Sequence, residues 1–205
     1  ADLVPQVTSE VNAVHNFNSN KTPLLAADFD MADPTTYHDS TALSVYDSLG
    51  NEHTLQTFYV KSAAGTWDVF AANDGVLISG LGFNATGALT GGSPLTISGL
   101  AVTTGAAALN FTIDFTDSTQ FGSAFSINTL NQDGYTSGRL ASFNVGADGI
   151  VLGRYTNGES AVLGQVVLAN FANPNGLQQL GNNMWGETSA SGTPLVGTPD
   201  SGSLG

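Results

Sequence analysis

The 205-residue chain carries 17 Asp and Glu against four Lys and Arg, a net charge of −13, and no cysteine. Four scattered cations, Lys21, Lys61, Arg139 and Arg154, cannot build a groove for nucleic acid or grip an anionic membrane surface, and a chain without thiols has neither a disulfide framework nor a thiolate metal site. Charged residues make up only 10%, and polarity rests on Asn, Ser, Thr, Gln and 25 Gly, which favours strands and turns over helices with exposed charged faces.

Over residues 1–17, Val7, Val11, Ala13 and Phe17 share one parity, which predicts a half-buried strand. Asn18 to Asp39 is polar and irregular, with Pro23, Pro34 and four Asp, and reads as a long connecting loop. Thr41 to Ser48 and His53 to Lys61 are strand patterns around the turn Leu49-Gly50-Asn51-Glu52. Thr66 to Ala72 continues the meander, with Trp67, Val69 and Ala71 on one face. Asp74 to Gly105 is glycine-rich and short-stranded. Leu95 to Val102 and Ala108 to Phe115 are the next strands, and in the second Leu109, Phe111, Ile113 and Phe115 alternate with Asn110, Thr112 and Asp114. Phe121 and Phe125 are expected to plug the end of this core.

The breaker cluster Asn131 to Gly138 (NQDGYTSG) marks a domain boundary. A three-strand meander follows: Arg139 to Val145, Ile150 to Tyr155 and Ser160 to Phe171, with Asp148-Gly149 and Asn157-Gly158 in its turns. Gly176 to Leu180 is long enough for one helical turn, and Thr188 to Gly205 reads as extended or frayed. The chain is therefore expected to be all-β, with very little helix. Two β-rich domains are expected, a sandwich- or barrel-like one over 4–135 and a second over 136–205. No run of 18 apolar residues predicts a membrane-spanning helix, and no charged n-region with an apolar segment opens the sequence as a signal peptide would.

Candidate chemistry is sparse. His15, His38 and His53 fall in different predicted elements, and a catalytic base needs a positioned partner. His53, at a strand start, reads as a turn stabiliser. Asp28, Asp30, Asp33 and Asp39 have the spacing D-x-D-x-x-D, without the glycine or distal glutamate of a calcium loop, and read as a solvated loop. Gly80-x-Gly82 lacks the third glycine of a dinucleotide loop, and no nucleophile elbow or phosphate loop occurs. Glu10, Glu52, Glu159 and Glu187 are too dispersed to nominate an acid/base pair. Trp67, near Val69 and Phe70, reads as core. Trp185 is more open and is placed either as an anchor or against a neighbouring subunit. Asn84-Ala85-Thr86 and Asn110-Phe111-Thr112 match the glycosylation acceptor pattern only by chance-level spacing. No catalytic, cofactor-binding or metal-binding residue is nominated.

The most informative stretch runs from Gly164 to Gly186 (GQVVLANFANPNGLQQLGNNMWG) and holds no ionisable side chain. On so acidic a chain this suggests a packed wall or a subunit contact. It also resembles the C-terminal part of the bacterial flagellar hook protein family, with Val162 to Phe171, Asn173, Gly176, Leu177, Gly181, Asn183 and Trp185 matching. Val45-Tyr46-Asp47-Ser48-Leu49-Gly50-Asn51-Glu52-His53 resembles that family's VYDS-x-GN-x-H hairpin. Gly134-Tyr135, Gly138, Leu140, Asp148-Gly149, Gly153, Tyr155 and Asn157 resemble its domain junction and meander.

The resemblance implies an outer domain over 4–135 and the C-terminal half of an inner domain over 136–205. It also implies a core fragment without the terminal helical segments and without the segment that precedes the outer domain. It implies a structural role and no enzymatic one. Copies would build a curved, flexible, extracellular tube coupling motor to filament, exported without a cleaved signal peptide. Partners would be other copies and the rod, hook-cap and hook–filament junction proteins. Competing readings are a glycan-binding β-sandwich adhesin, a carboxylate hydrolase, or a rod or other axial protein. The long insertion from Asn18 to Phe125 favours the hook.

Overall fold

The computed structural model describes residues 2–71 and 76–200, with backbone alone at 76 and 77. In chain order the strands are β1 (Asp2–Leu3), β2 (Glu10–Asn18), β3 (Asp39–Tyr46), β4 (Glu52–Ala63), β5 (Thr66–Ala71), β6 (Val76–Phe83), β7 (Leu89–Gly91), β8 (Leu95–Leu100), β9 (Leu109–Asp114), β10 (Thr119–Phe121), β11 (Ser126–Gln132), β12 (Gly138–Val145), β13 (Ile150–Tyr155), β14 (Ser160–Gln165), β15 (Leu168–Asn170), β16 (Gln178–Gly181), β17 (Met184–Gly186) and β18 (Leu195–Gly197). Helix among the described residues is confined to two three-residue 3-10 turns, Ala26–Asp28 and Pro174–Gly176. The expected all-β fold is what forms. The chain falls into two compact units, Val4–Ser137 and Ala1–Leu3 with Gly138–Gly205.

The larger unit packs two five-stranded sheets. One is the antiparallel meander β3-β4-β5-β6-β7. The other centres on β2, which pairs with β11 antiparallel along one edge and with β9 and β10, both parallel, along the other; β8 continues beyond β9. Alternating residues of both sheets meet in one core: Val11, Ala13 and Phe17 from β2, Leu109, Phe111 and Ile113 from β9, and Leu55, Tyr59, Trp67, Val69 and Leu81 from the meander. Burying such side chains stabilises by roughly 1.5–3 kcal/mol each, which is what holds two twisted sheets face to face.

Strand β4 is buried on both faces from Thr57 to Lys61. Its second face, with Phe58 and Val60, together with Phe70 of the neighbouring β5, is covered by Leu24, Ala26, Phe29 and Tyr37 from the segment between β2 and β3. Phe29 stacks on Phe70 at 4.1 Å. The expected solvated loop over 18–39 is thus polar at its aspartates but carries a hydrophobic lid. Lys61, buried, donates from Nζ to the carbonyls of Ser19 and Lys21 at 2.6 and 2.9 Å and fastens that lid's start.

Other expectations need correction. The strand expected over 1–17 begins only at Glu10. The residues before it are used to close the unit: Gln6 bridges to Tyr135, Thr8 N–H donates to Tyr46 O, and the Ser9 and Glu10 N–H groups donate to Asp133 Oδ1 at 2.8 and 3.0 Å. The boundary cluster starts late, because β11 runs through Gln132. Phe121 is half exposed at the outer end of β10, whereas Phe125 does pack against the core. The glycine-rich stretch contains the eight-residue β6, and Gly92, just past β7 at φ +87°, lets the chain approach it closely: a Cβ there would lie 2.0 Å from Gly80 O. The expected end of a strand at Ala72, and the tail beyond Asp200, lie outside the described residues.

The smaller unit holds the sheet β1-β12-β13-β14 and two ribbons, β15-β18 and β16-β17. The third meander strand, expected to be continuous over Ser160 to Phe171, breaks after Gln165. There the chain leaves β13, and β15 pairs with β18 instead.

Candidate assembly surface

The three histidines do not converge. His15 lies buried in the large core. His38 donates from Nε2 to Thr22 O at 2.9 Å and accepts the Lys61 N–H at Nδ1 at 3.0 Å, which fixes its tautomer. His53 donates from Nε2 to Asp47 Oδ2 at 2.9 Å, the turn-stabilising place expected of it. Asp30 and Asp33 cap their own turns by accepting from the N–H groups of Ala32 and Thr35. Asp39 opens β3, and burial pushes its carboxyl above the usual range. Among the described residues no group of three His, Asp or Glu is placed to hold a metal. The open cleft beside β7 and β10 contains Asp117 as its single carboxylate. Trp67 is fully buried in the core.

The hairpin motif has a defined purpose. Asp47 accepts six hydrogen bonds: from the N–H groups of Leu49 and Asn51, from Asn51 Nδ2 at each oxygen, from His53 Nε2 and from Thr104 Oγ1. Burial alone would raise its pKa; the bonds from His53, Thr104 and Asn51 outweigh it and hold the carboxyl far below the usual range. Gly50, at φ +82°, supplies the left-handed turn position that closes the hairpin.

The smaller unit behaves differently. Among the described residues, Tyr155 is the one core hydrophobic that belongs to it. Its sheet bears apolar side chains on both faces. Opposed residues share a face, so Phe143, opposite Gly153, lies on one side and Val162, opposite Leu152, on the other; they are 65% and 64% exposed. Strand β14 is a sheet edge. Beyond it Val166, Val167 and Leu168 stay exposed, as do Leu195 and Val196 on the paired ribbon. The Gly-Asn-Asn-Met-Trp segment is a hairpin. Gly181, Asn182 and Asn183 all adopt positive φ, which glycine and asparagine tolerate, and the ribbon presents Leu180, Met184 and Trp185 outward. Two adjacent asparagines after a glycine are the sequence signal for this hairpin.

The charge-free run is therefore no wall within this chain. Monomeric proteins rarely leave so many large apolar side chains uncovered, and such surfaces mark interaction sites. A β sandwich joined to a β unit with bare apolar faces defines a protein that offers surfaces for contact with other molecules. The model of the flagellar basal body protein FlaE D2 domain matches residues 16–135, more than half of the chain, and the chain belongs to that family. It is 36% identical to the flagellar hook protein FlgE of Salmonella typhimurium, over 99% of this chain and 52% of the relative. It is 31% identical to that of Escherichia coli over the same shares. The chain thus spans about half the length of these curated relatives. A crystal structure of the Helicobacter pylori flagellar hook protein FlgE2 has the same fold over 79% of this chain and 39% of that one, with a TM-score of 0.56 at 20% identity.

Proposed function

We propose that this chain serves as a structural part of the flagellar hook, outside the cell, where copies polymerise into a curved tube that joins motor to filament and transmits torque. In this reading the sandwich is the outer domain and the smaller unit is the C-terminal half of an inner domain. The inner half is completed by other hook polypeptide, and rod, cap and junction proteins contact the tube's ends. The observation that carries the reading is the contrast in burial. One unit hides its hydrophobic side chains in a core, and the other leaves Val162, Trp185 and their neighbours in solvent. A tube that bends needs subunits that slide, and the Asn-, Ser- and Thr-rich surface, with few charges to lock pairs, suits wet polar contacts around that apolar centre. The role is one of assembly and not of catalysis.

The test is made in the bacterium that produces the chain. Val162→Asp and Trp185→Asp each place a charge on an exposed position. The expected result is loss of hooks in electron micrographs and loss of swimming, while the purified chain keeps its circular dichroism and melting temperature. Normal hooks in both variants would overturn the reading.

A further inference from the structure

His15 has an environment that neither the hairpin motif nor the bare apolar face explains. Its side chain is fully buried in the middle of the sandwich. The rings of Phe17, Tyr59, Phe115 and Phe125 surround it with centroids 5.5–6.0 Å away, all edge to face. Nε2 lies 3.1 Å from Tyr59 Oη, and that oxygen meets Thr41 Oγ1 at 3.0 Å and Thr57 Oγ1 at 2.9 Å. The two threonine hydroxyls bond each other at 2.7 Å. A polar chain therefore runs from β2 in one sheet to β3 and β4 in the other, through an otherwise apolar core. Nδ1 is buried and makes no hydrogen bond.

This arrangement suits a neutral imidazole alone. A neutral ring needs one partner for its N–H or lone pair at Nε2, and Tyr59 provides it. A protonated ring carries two N–H donors. The second, at Nδ1, would lie out of reach of solvent and make no well-formed hydrogen bond, with the Val14 backbone alone to offset the charge, which is the costly case for a buried charge. Of the side chains around the ring, the titratable one is the Tyr59 phenol. Burial pushes it up to about 12, so it stays neutral throughout the acid range. No charged neighbour enters the balance at His15: burial pulls the ring down to about 4, and the Val14 backbone offsets only part of this.

We propose that His15 is an acid-operated latch: while neutral it couples the two sheets through Tyr59, Thr41 and Thr57, and when it takes a proton the sandwich opens. The latch does not depend on the assembly reading, since it lies wholly inside one unit.

The sign follows from the two protonation midpoints. The unfolded ring binds a proton near 6.5 and the folded one near 4. Stability from the neutral ring is full above 6.5 and drains away as the pH falls to 4. The unfolding constant should rise about 150-fold by pH 4 from this group alone.

The experiment is urea unfolding between pH 7.5 and 4, in a Trp185→Phe background so that buried Trp67 alone reports on the sandwich. His15→Gln keeps a hydrogen-bonding group but cannot titrate there. The expected result is that the original ring adds at least about 50-fold to the pH dependence over that of the variant, and parallel pH profiles would overturn the latch. Should His15→Gln fail to fold, carbon-13 histidine titration of the unsubstituted chain decides. The latch requires the His15 signal to stay neutral below pH 5 and its protonation to coincide with exposure of Trp67. A folded-state titration near 6.5, or protonation with Trp67 still buried, would overturn it.

Discussion

Asp47 Oδ2 accepts a 2.9 Å hydrogen bond from His53 Nε2, and the aspartate side chain is wholly shielded from solvent while the histidine remains partly open. This pair turns a sequence signature into a mechanical part. The carboxylate gathers the turn, the start of β4 and Thr104 around one charge.

Asp47→Ala strands the Asn51 and Thr104 donors and opens the hairpin. The melting temperature of the chain should fall by about 5 °C or more, as is usual for losing a buried hydrogen-bond network. Because the folded carboxyl titrates below the unfolded value of 3.8, its stabilisation is present above pH 3.8 and is lost as the pH drops further. Melting curves between pH 5 and 2 should show a steep acid decline that Asp47→Ala flattens. The His15 decline lies at higher pH and should survive the Asp47 substitution.

Tyr59→Phe removes one hydroxyl from the centre of the sandwich. His15 Nε2 then has no partner, and the two threonines keep only each other. The cost should be about 1–3 kcal/mol, read from urea unfolding at pH 7.5, because buried polar atoms are left unsatisfied. A neutral effect would mean that the network is passive packing.

Gly92→Ala puts a methyl group 2.0 Å from Gly80 O at a positive φ. It should cost more than about 2 kcal/mol or spring β7 from β6. Gly105→Ala, at φ +83° with open space around it, should cost only about 1 kcal/mol, the backbone strain alone. The difference between the two isolates the close approach of the chain at Gly80.

Period-two alternation made β9 and the β3–β4 hairpin readable, since Leu109, Phe111 and Ile113 face one core and nothing else competes for that pattern. The turn glycines and Asn157-Gly158 placed the later meander for the same reason. What stayed hidden lacked periodicity. Phe29 and Tyr37 lie among aspartates and prolines, and only the far face of β4 reveals that they form a lid. Strand β11, SINTLNQ, looks polar because its pairing with β2 is made by backbone. The glycines of β6 disguised a strand as a loop. The stretch from Val162 to Trp185 was recognisable as unusual, but an apolar run has the same sequence whether its own chain or another molecule covers it. Only coordinates that leave Val162 and Trp185 in solvent separate those cases.

The chain has no cysteine, so single thiols can report burial directly. Val162→Cys and Trp185→Cys, with Leu25→Cys as an exposed control in the sandwich, should all react rapidly with a maleimide in the isolated chain. In hooks purified from the bacterium that makes it, the thiols at 162 and 185 should react at least about tenfold more slowly, with the one at 25 unchanged. Equal reactivity of all three positions in assembled hooks would contradict the claim that the bare apolar surface exists to be covered on assembly.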